Sequence, residues 1–130
     1  MVITHIDGFT EDLISFTCEV DRETVSVIGK WFCVGKNDKN CRIEYLDSVD
    51  TGLIDDIKRD LVELNDSYEM MVTDLSTEIV EWNDGNRIIS RKFYGVGELL
   101  YEEYPVLKGR LDNLMKFINQ HYERVASASN

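Results

Sequence analysis

The side chains able to do chemistry are few and weakly grouped. Two histidines, His5 and His121, stand near opposite ends of the chain. Neither has a companion at metal-binding spacing such as HxxxH or CxxC, so both are expected to be ordinary half-exposed histidines, and no metal ligand is assigned. Cys18, Cys33 and Cys41 are odd in number and lie on apolar segments. They read as reduced core thiols, because a reactive thiolate needs an exposed, electropositive setting. Cys41, next to Arg42, is the best candidate for a lowered thiol pKa, and Cys33 and Cys41 are candidates to face each other across a hairpin. Asp55-Asp56, Glu102-Glu103 and Asp47 with Asp50 supply paired carboxylates. General acid/base work needs two such groups in different environments within a cleft, and adjacent acids on a helix surface point apart. DSVD and NDGN each share part of a calcium-loop pattern without its full spacing. The glycine pair Gly95 and Gly97 is followed by Glu98, which would repel a phosphate. No catalytic residue and no cofactor are expected.

Charge is the stronger signal. The chain has 130 residues and a net charge of −11. From Glu44 to Asp84 there are 13 acids against two bases, Lys58 and Arg59, whereas acids and bases balance over the rest. The whole excess thus lies in one continuous third of the sequence. Such a field repels nucleic acid and anionic membranes and attracts basic surfaces. The expected partner-binding surface combines Asp47, Asp50, Asp55, Asp56, Asp60, Glu63, Asp66 and Glu69. Tyr45 and Tyr68 are its candidate aromatic anchors, or else core residues.

The elements that must hold this surface follow from periodicity. Val2 to Ile6, Leu13 to Val20, Thr24 to Val34 and Cys41 to Leu46 read as strands, with Gly29 marking a bulge or a close backbone approach. Asp50 is an N-cap for a helix with Leu53, Ile57, Leu61 and Leu64 on its apolar stripe, ended by Asn65-Asp66. Tyr68 to Thr73 reads as a strand. Thr77 to Asn83 and Asn86 to Tyr94 flank an Asp84-Gly85 hairpin turn, with Trp82 opposite Arg87 and Val80 opposite Ile89. Glu98 to Tyr104 is a short helical turn. A last helix from about Val106 to Arg124 buries Leu107, Leu111, Leu114, Met115, Ile118 and Tyr122. The expectation is one α+β domain over residues 1–125, a single mostly antiparallel sheet packed against two main helices, with 126–130 as a frayed tail. The start MVITHIDGFTEDLIS has neither the basic opening nor the apolar run of a secretion signal, and no stretch approaches the ~20 apolar residues of a membrane span. A cytoplasmic protein without membrane contact is expected.

In size, charge and architecture the whole chain resembles the immunity proteins of bacterial toxin systems such as contact-dependent growth inhibition. The resemblance implies a small cofactor-free inhibitor that covers a basic toxin domain, often a nuclease, and that does not bind nucleic acid itself. The acidic residues named above come from the charge pattern and not from the resemblance. Two other classes remain at this stage. One is a small enzyme whose site is assembled by the fold, favoured by a pocket holding His121 or Cys41 beside a carboxylate. The other is an acidic DNA mimic or assembly subunit.

Overall fold

The computed structural model describes residues 1–8, 12–33, 40–95 and 98–128, with side chains described except at 12, 32–33, 40–41 and 98–100. Alternating burial builds the sheet. Strands β1 (Val2–Ile6), β2 (Asp12–Asp21), β3 (Thr24–Cys33) and β4 (Asn40–Ser48) come first, and helix α1 (Thr51–Leu61) follows. Then come β5 (Ser67–Glu69), β6 (Thr77–Asp84), β7 (Arg87–Tyr94), a short helix α2 (Glu98–Glu103), a 3-10 turn at Pro105–Leu107 and helix α3 (Asp112–Ala128). The fold is α+β. The seven strands form one sheet in the order β4-β3-β2-β1-β6-β7-β5, antiparallel except for the β5–β7 pair.

One face of the sheet is buried. Ile3 and His5 of β1, Phe16 and Cys18 of β2, Val25 and Val27 of β3, Val80 and Trp82 of β6, and Ile89 and Phe93 of β7 all point into it. Helix α1 adds Ile54, Ile57 and Leu61, and α3 adds Leu114, Phe117, Ile118 and Val125 to the same core. Period-two and period-3.6 stripes meet here because each element has one apolar side to hide. Each fully buried Leu, Ile or Phe contributes about 1.5–3 kcal/mol of transfer free energy.

Several boundaries differ from those the sequence suggests, each for a structural reason. Helix α1 stops at Leu61 and not at Asn65-Asp66. Arg91 of β7 donates from Nε to the Leu61 carbonyl (3.0 Å) and from Nη2 to the Val62 carbonyl (2.9 Å), satisfying the helix end where the dipole is negative. The β6–β7 register is shifted by one pair: Asp84 opposes Arg87, Trp82 opposes Ile89 and Val80 opposes Arg91. The loop is therefore Gly85-Asn86, with Gly85 at its first position and φ of 66°. A turn with glycine first needs positive φ at that residue only, and it leaves Asp84 and Arg87 as an opposite-charge pair. Strand β5 is Ser67–Glu69, so of the Tyr68 to Thr73 segment expected to be extended only Tyr68 and Glu69 are strand. The last helix begins at Asp112, after the 3-10 turn that Pro105 opens, and runs through Ala126 to Ala128, which are helical; residues 129–130 of the expected tail lie outside the described residues.

Gly29 is the close approach and not a bulge. The β2–β3 register runs unbroken through it, and a Cβ there would lie 2.7 and 2.8 Å from the Val125 methyls of α3. In the neighbouring β3–β4 pair, Cys41 lies opposite Trp31 and not opposite Cys33. The Cys33 and Cys41 side chains lie outside the described residues, as do Val96 and Gly97.

Candidate functional site

A groove of about 550 Å³ lies between the corner where β4 enters α1 and the flank of α3. From the first side come Asp47, Ser48, Val49, Asp50, Leu53 and Asp56. Asp50, Leu53 and Asp56 recur every three residues, which keeps them on one side of the first helical turns. Asp50 is held in place as the N-cap, its carboxylate accepting from Gly52 N at 2.8 Å. From α3 come Asn113, Lys116, Phe117, Gln120 and His121, one stripe at spacings of three and four. Three carboxylates thus face a single ammonium, Lys116, which is exposed. Asp60 stands beside the groove, its carboxylate accepting from Asn113 Nδ2 at 2.9 Å.

His121 closes the inner wall. The residue is only 5% exposed. Its ring lies 4.8 Å from Phe117 and 6.0 Å from Tyr45, centroid to centroid, and its Nδ1 is 2.9 Å from the Tyr45 hydroxyl. Burial lowers the His121 pKa; Asp47 opposes that shift and Arg124 adds to it, so the ring is neutral at neutral pH. Burial pushes the Tyr45 hydroxyl up to about 12, so it keeps its proton. Among the described residues, the acceptor within reach of that proton is His121 Nδ1. The Tyr45 hydroxyl and Nδ1 thus share one hydrogen bond, whose donor is set by the tautomer of the neutral imidazole. Arg124 stacks over the Tyr45 ring at 3.7 Å and reaches Asp47 at 3.3 Å, which fixes the outer edge of this wall.

The other residues expected to form the partner surface are distributed differently. Asp55 lines a separate depression of about 200 Å³ with Arg22 and Lys58. Glu63 is exposed, and Asp66 and Glu69 pair with Arg91 and Lys92 of β7 at 3.1 and 3.7 Å. Tyr45 is half-buried behind the groove. Tyr68 is a core residue and offers no surface anchor: it is 4% exposed, stacked on Phe93 at 5.8 Å, and its hydroxyl accepts from Asn65 N at 2.9 Å. The acidic sequence block therefore yields one convergent set, Asp47, Asp50 and Asp56 with Asp60 beside it, and several outlying acids.

Both histidines are buried, not half-exposed. His5, on the inner face of β1, lies between Asp7 (Nε2 to Oδ1, 2.6 Å) and Glu78 (Nδ1 to Oε1, 2.9 Å). Tyr122 of α3 donates to Asp7 at 2.9 Å, and Ser76 donates to Glu78 at 3.3 Å. Burial lowers the His5 pKa, but the hydrogen bonds and charges of Asp7 and Glu78 outweigh it and raise the value to about 9. Phe16 stacks on this imidazolium and Tyr122 meets it edge-on, shutting the cluster from solvent. It ties β1, β6 and α3 together. Burial also pushes the Cys18 thiol up to about 12, so it is not a nucleophile.

Among the described residues, no group of three or more His, Cys, Asp or Glu side chains converges as a metal site, and no helix is long and apolar enough to cross a membrane. No protein-family model matches the chain, and no curated protein is similar to it.

Proposed function

We propose that this chain is a protein-binding inhibitor, an immunity protein that neutralises a basic bacterial toxin domain in the cytoplasm. The observation that carries this reading is the convergence of Asp47, Asp50 and Asp56 on one groove with Lys116 as its lining base. Around it the acidic block stays largely exposed: Glu44, Asp55, Glu63, Asp66, Glu69, Asp74, Glu81 and Asp84 all face solvent. Ion pairs with Arg42, Arg59, Arg87, Arg91, Lys92 and Arg124 hold part of that charge. Exposed pairs of this kind contribute only about 0–1 kcal/mol and yield readily to a partner's cations. Such a surface steers a basic domain toward the groove and raises its association rate.

A small enzyme is the second reading, favoured by His121 in the groove beside Asp47. Against it, Tyr45 already occupies His121 Nδ1, and among the described residues no carboxylate hydrogen-bonds the ring to orient it as a general base.

The test is kinetic. The protein, immobilised at about 50 mM salt, should capture a basic toxin domain encoded beside it and protect cells that express that domain; capture should weaken steeply by about 300 mM. Reversing acids outside the groove, as D55K/D60K/E63K, should slow association about tenfold with little change in dissociation. An unchanged association rate at low salt removes the steering surface. Absence of protection removes the inhibitor assignment.

A further inference from the structure

The sheet has two faces, and the core uses one. Both main helices pack on the face that holds Ile3, Phe16, Val27, Val80 and Phe93, and among the described residues no helix lies over the other. The strand registers align that outer face in rows across six strands. The middle row reads Glu44 (β4), Ile28 (β3), Thr17 (β2), Thr4 (β1), Ile79 (β6) and Lys92 (β7), each directly opposite the next. Its order is acid, isoleucine, threonine, threonine, isoleucine, base. Reversed, the row differs only in which end carries which charge. Glu44 and Lys92 are exposed, and the four residues between them are half-buried. A shallow hollow of about 430 Å³ opens over one half of the row, at Thr4, Thr17 and Ile28. Charge also sets this face apart. The middle row and its two flanking rows hold the bases Lys30, Arg42 and Lys92 against the acids Glu19, Glu44 and Glu81, a balance within a molecule of net charge −11. Ile6 and Leu46, two of the large exposed apolar side chains, stand in the flanking rows.

We propose that this outer face joins two copies of the chain in a symmetric dimer, the middle row of one copy meeting that of the other in reverse. A two-fold axis between the sheets, parallel to β1 and β2 and passing between them, makes this match. Glu44 then meets Lys92 of the second copy at both ends, Ile28 meets Ile79, and Thr17 meets Thr4. The hollow lies where Ile79 of the second copy falls. A copy turned about the row itself would instead set Glu44 on Glu44 and Lys92 on Lys92. Within one copy Glu44 pairs with Arg42 and Lys92 with Glu69, but both pairs are exposed and yield readily to a new partner. A balanced face is what two strongly acidic copies need in order to approach, and it attracts a basic domain far less than the acidic groove does. Strands about 4.8 Å apart and rows about 6.8 Å apart give a patch of roughly 30 by 20 Å, or about 600 Å² per copy, at the lower end of stable interfaces. The groove lies on the helix side of the sheet, so the dimer leaves it open and stands apart from the inhibitor reading.

Sedimentation equilibrium from about 1 to 200 µM, at about 150 mM salt to screen the bulk repulsion, should show monomer and dimer with a midpoint on the order of 10 µM. I28K/I79K sets like charges together at the centre of the contact and should abolish the dimer, with the circular dichroism spectrum unchanged. E44K brings lysine against Lys92 at both ends and should weaken the dimer about tenfold. Bulk repulsion alone predicts the opposite, because E44K lowers the net charge. K92E should weaken the dimer at least as much. The two single variants mixed in equal amounts should form a mixed dimer about as tight as wild type, since unlike charges then meet at each end. Glu44 and Lys92 stand at opposite ends of the row within one copy, so this recovery arises only across two copies. A dimer indifferent to I28K/I79K, or a mixture no tighter than its single variants, overturns the proposal. A chain that stays monomeric to about 200 µM also overturns it, and toxin capture lost in I28K/I79K would then assign the face to the toxin.

Discussion

His5 is a buried cation that the fold keeps only because two carboxylates flank it. Asp7 and Glu78 both bond its ring, and Glu78 Oε2 has no hydrogen-bond partner among the described residues, so removing the imidazolium would leave two carboxyl groups in the core without their shared donor. The sign of its pH effect follows from linkage. The unfolded histidine loses its proton near 6.5 and the folded one near 9, so the contribution is full below about 6.5 and fades as pH rises to about 9. The shift corresponds to about 3 kcal/mol as an upper figure. Denaturant midpoints taken across that window should fall for the wild-type protein and stay nearly level for H5Q, which should also be less stable at pH 6 by about 3 kcal/mol. Equal slopes for the two proteins would show that the charge on His5 does not hold the cluster together. Nothing in the sequence marked this site. The partners Glu78 and Tyr122 are 73 and 115 residues away from His5 and Asp7 respectively, and a histidine on a buried stripe reads as polar. His121 hid in the same way, although Leu114, Phe117, Ile118, His121 and Val125 share one helical face.

At the scale of elements, Gly29 sets how closely α3 lies on the sheet. The wall of the acidic groove depends on that distance, because His121 stands one turn before Val125 on α3. A methyl at Gly29 would press on both Val125 methyls and come within 3.0 Å of Ile43. G29A should therefore cost about 2 kcal/mol by overpacking. V125A should cost less in the G29A background than alone, because it makes the room that the new methyl needs. Additive losses would mean the strand, and not the helix, absorbs the methyl. The sequence showed the strands and both main helices through their periodicity, and of its two readings of Gly29, a bulge or a close approach, the close approach holds. It misjudged what long-range partners decide. Arg91 ends α1 from another element, and the register of the whole β6–β7 ladder makes Gly85-Asn86 the turn in place of Asp84-Gly85. Local propensity has no term for either.

The whole molecule carries a net charge of −11, and the sequence located its source without revealing its division among surfaces. Three block acids reach the groove, two of them paired with Arg124 and Arg59, while others meet Arg42 of β4 and Arg87, Arg91 and Lys92 of β7. Two opposing electrostatic effects therefore act on the folded state. Local ion pairs stabilise it and weaken with salt, whereas long-range repulsion among the surplus acids destabilises it and is also screened. The pairs are mostly exposed, so each is worth little, and the repulsion is summed over the whole surface. Repulsion should win. The melting temperature should rise by about 3–5 °C between about 10 and 300 mM sodium chloride, equivalent to about 1 kcal/mol for a domain of this size. D55N/E63Q, which neutralises two exposed acids without an ion-pair partner among the described residues, should flatten that rise. Association with a basic partner should respond to salt in the opposite direction, slowing as the same field is screened. A melting temperature that falls with salt would place the dominant electrostatics in the local pairs, and the surplus charge would then be too well matched to steer anything.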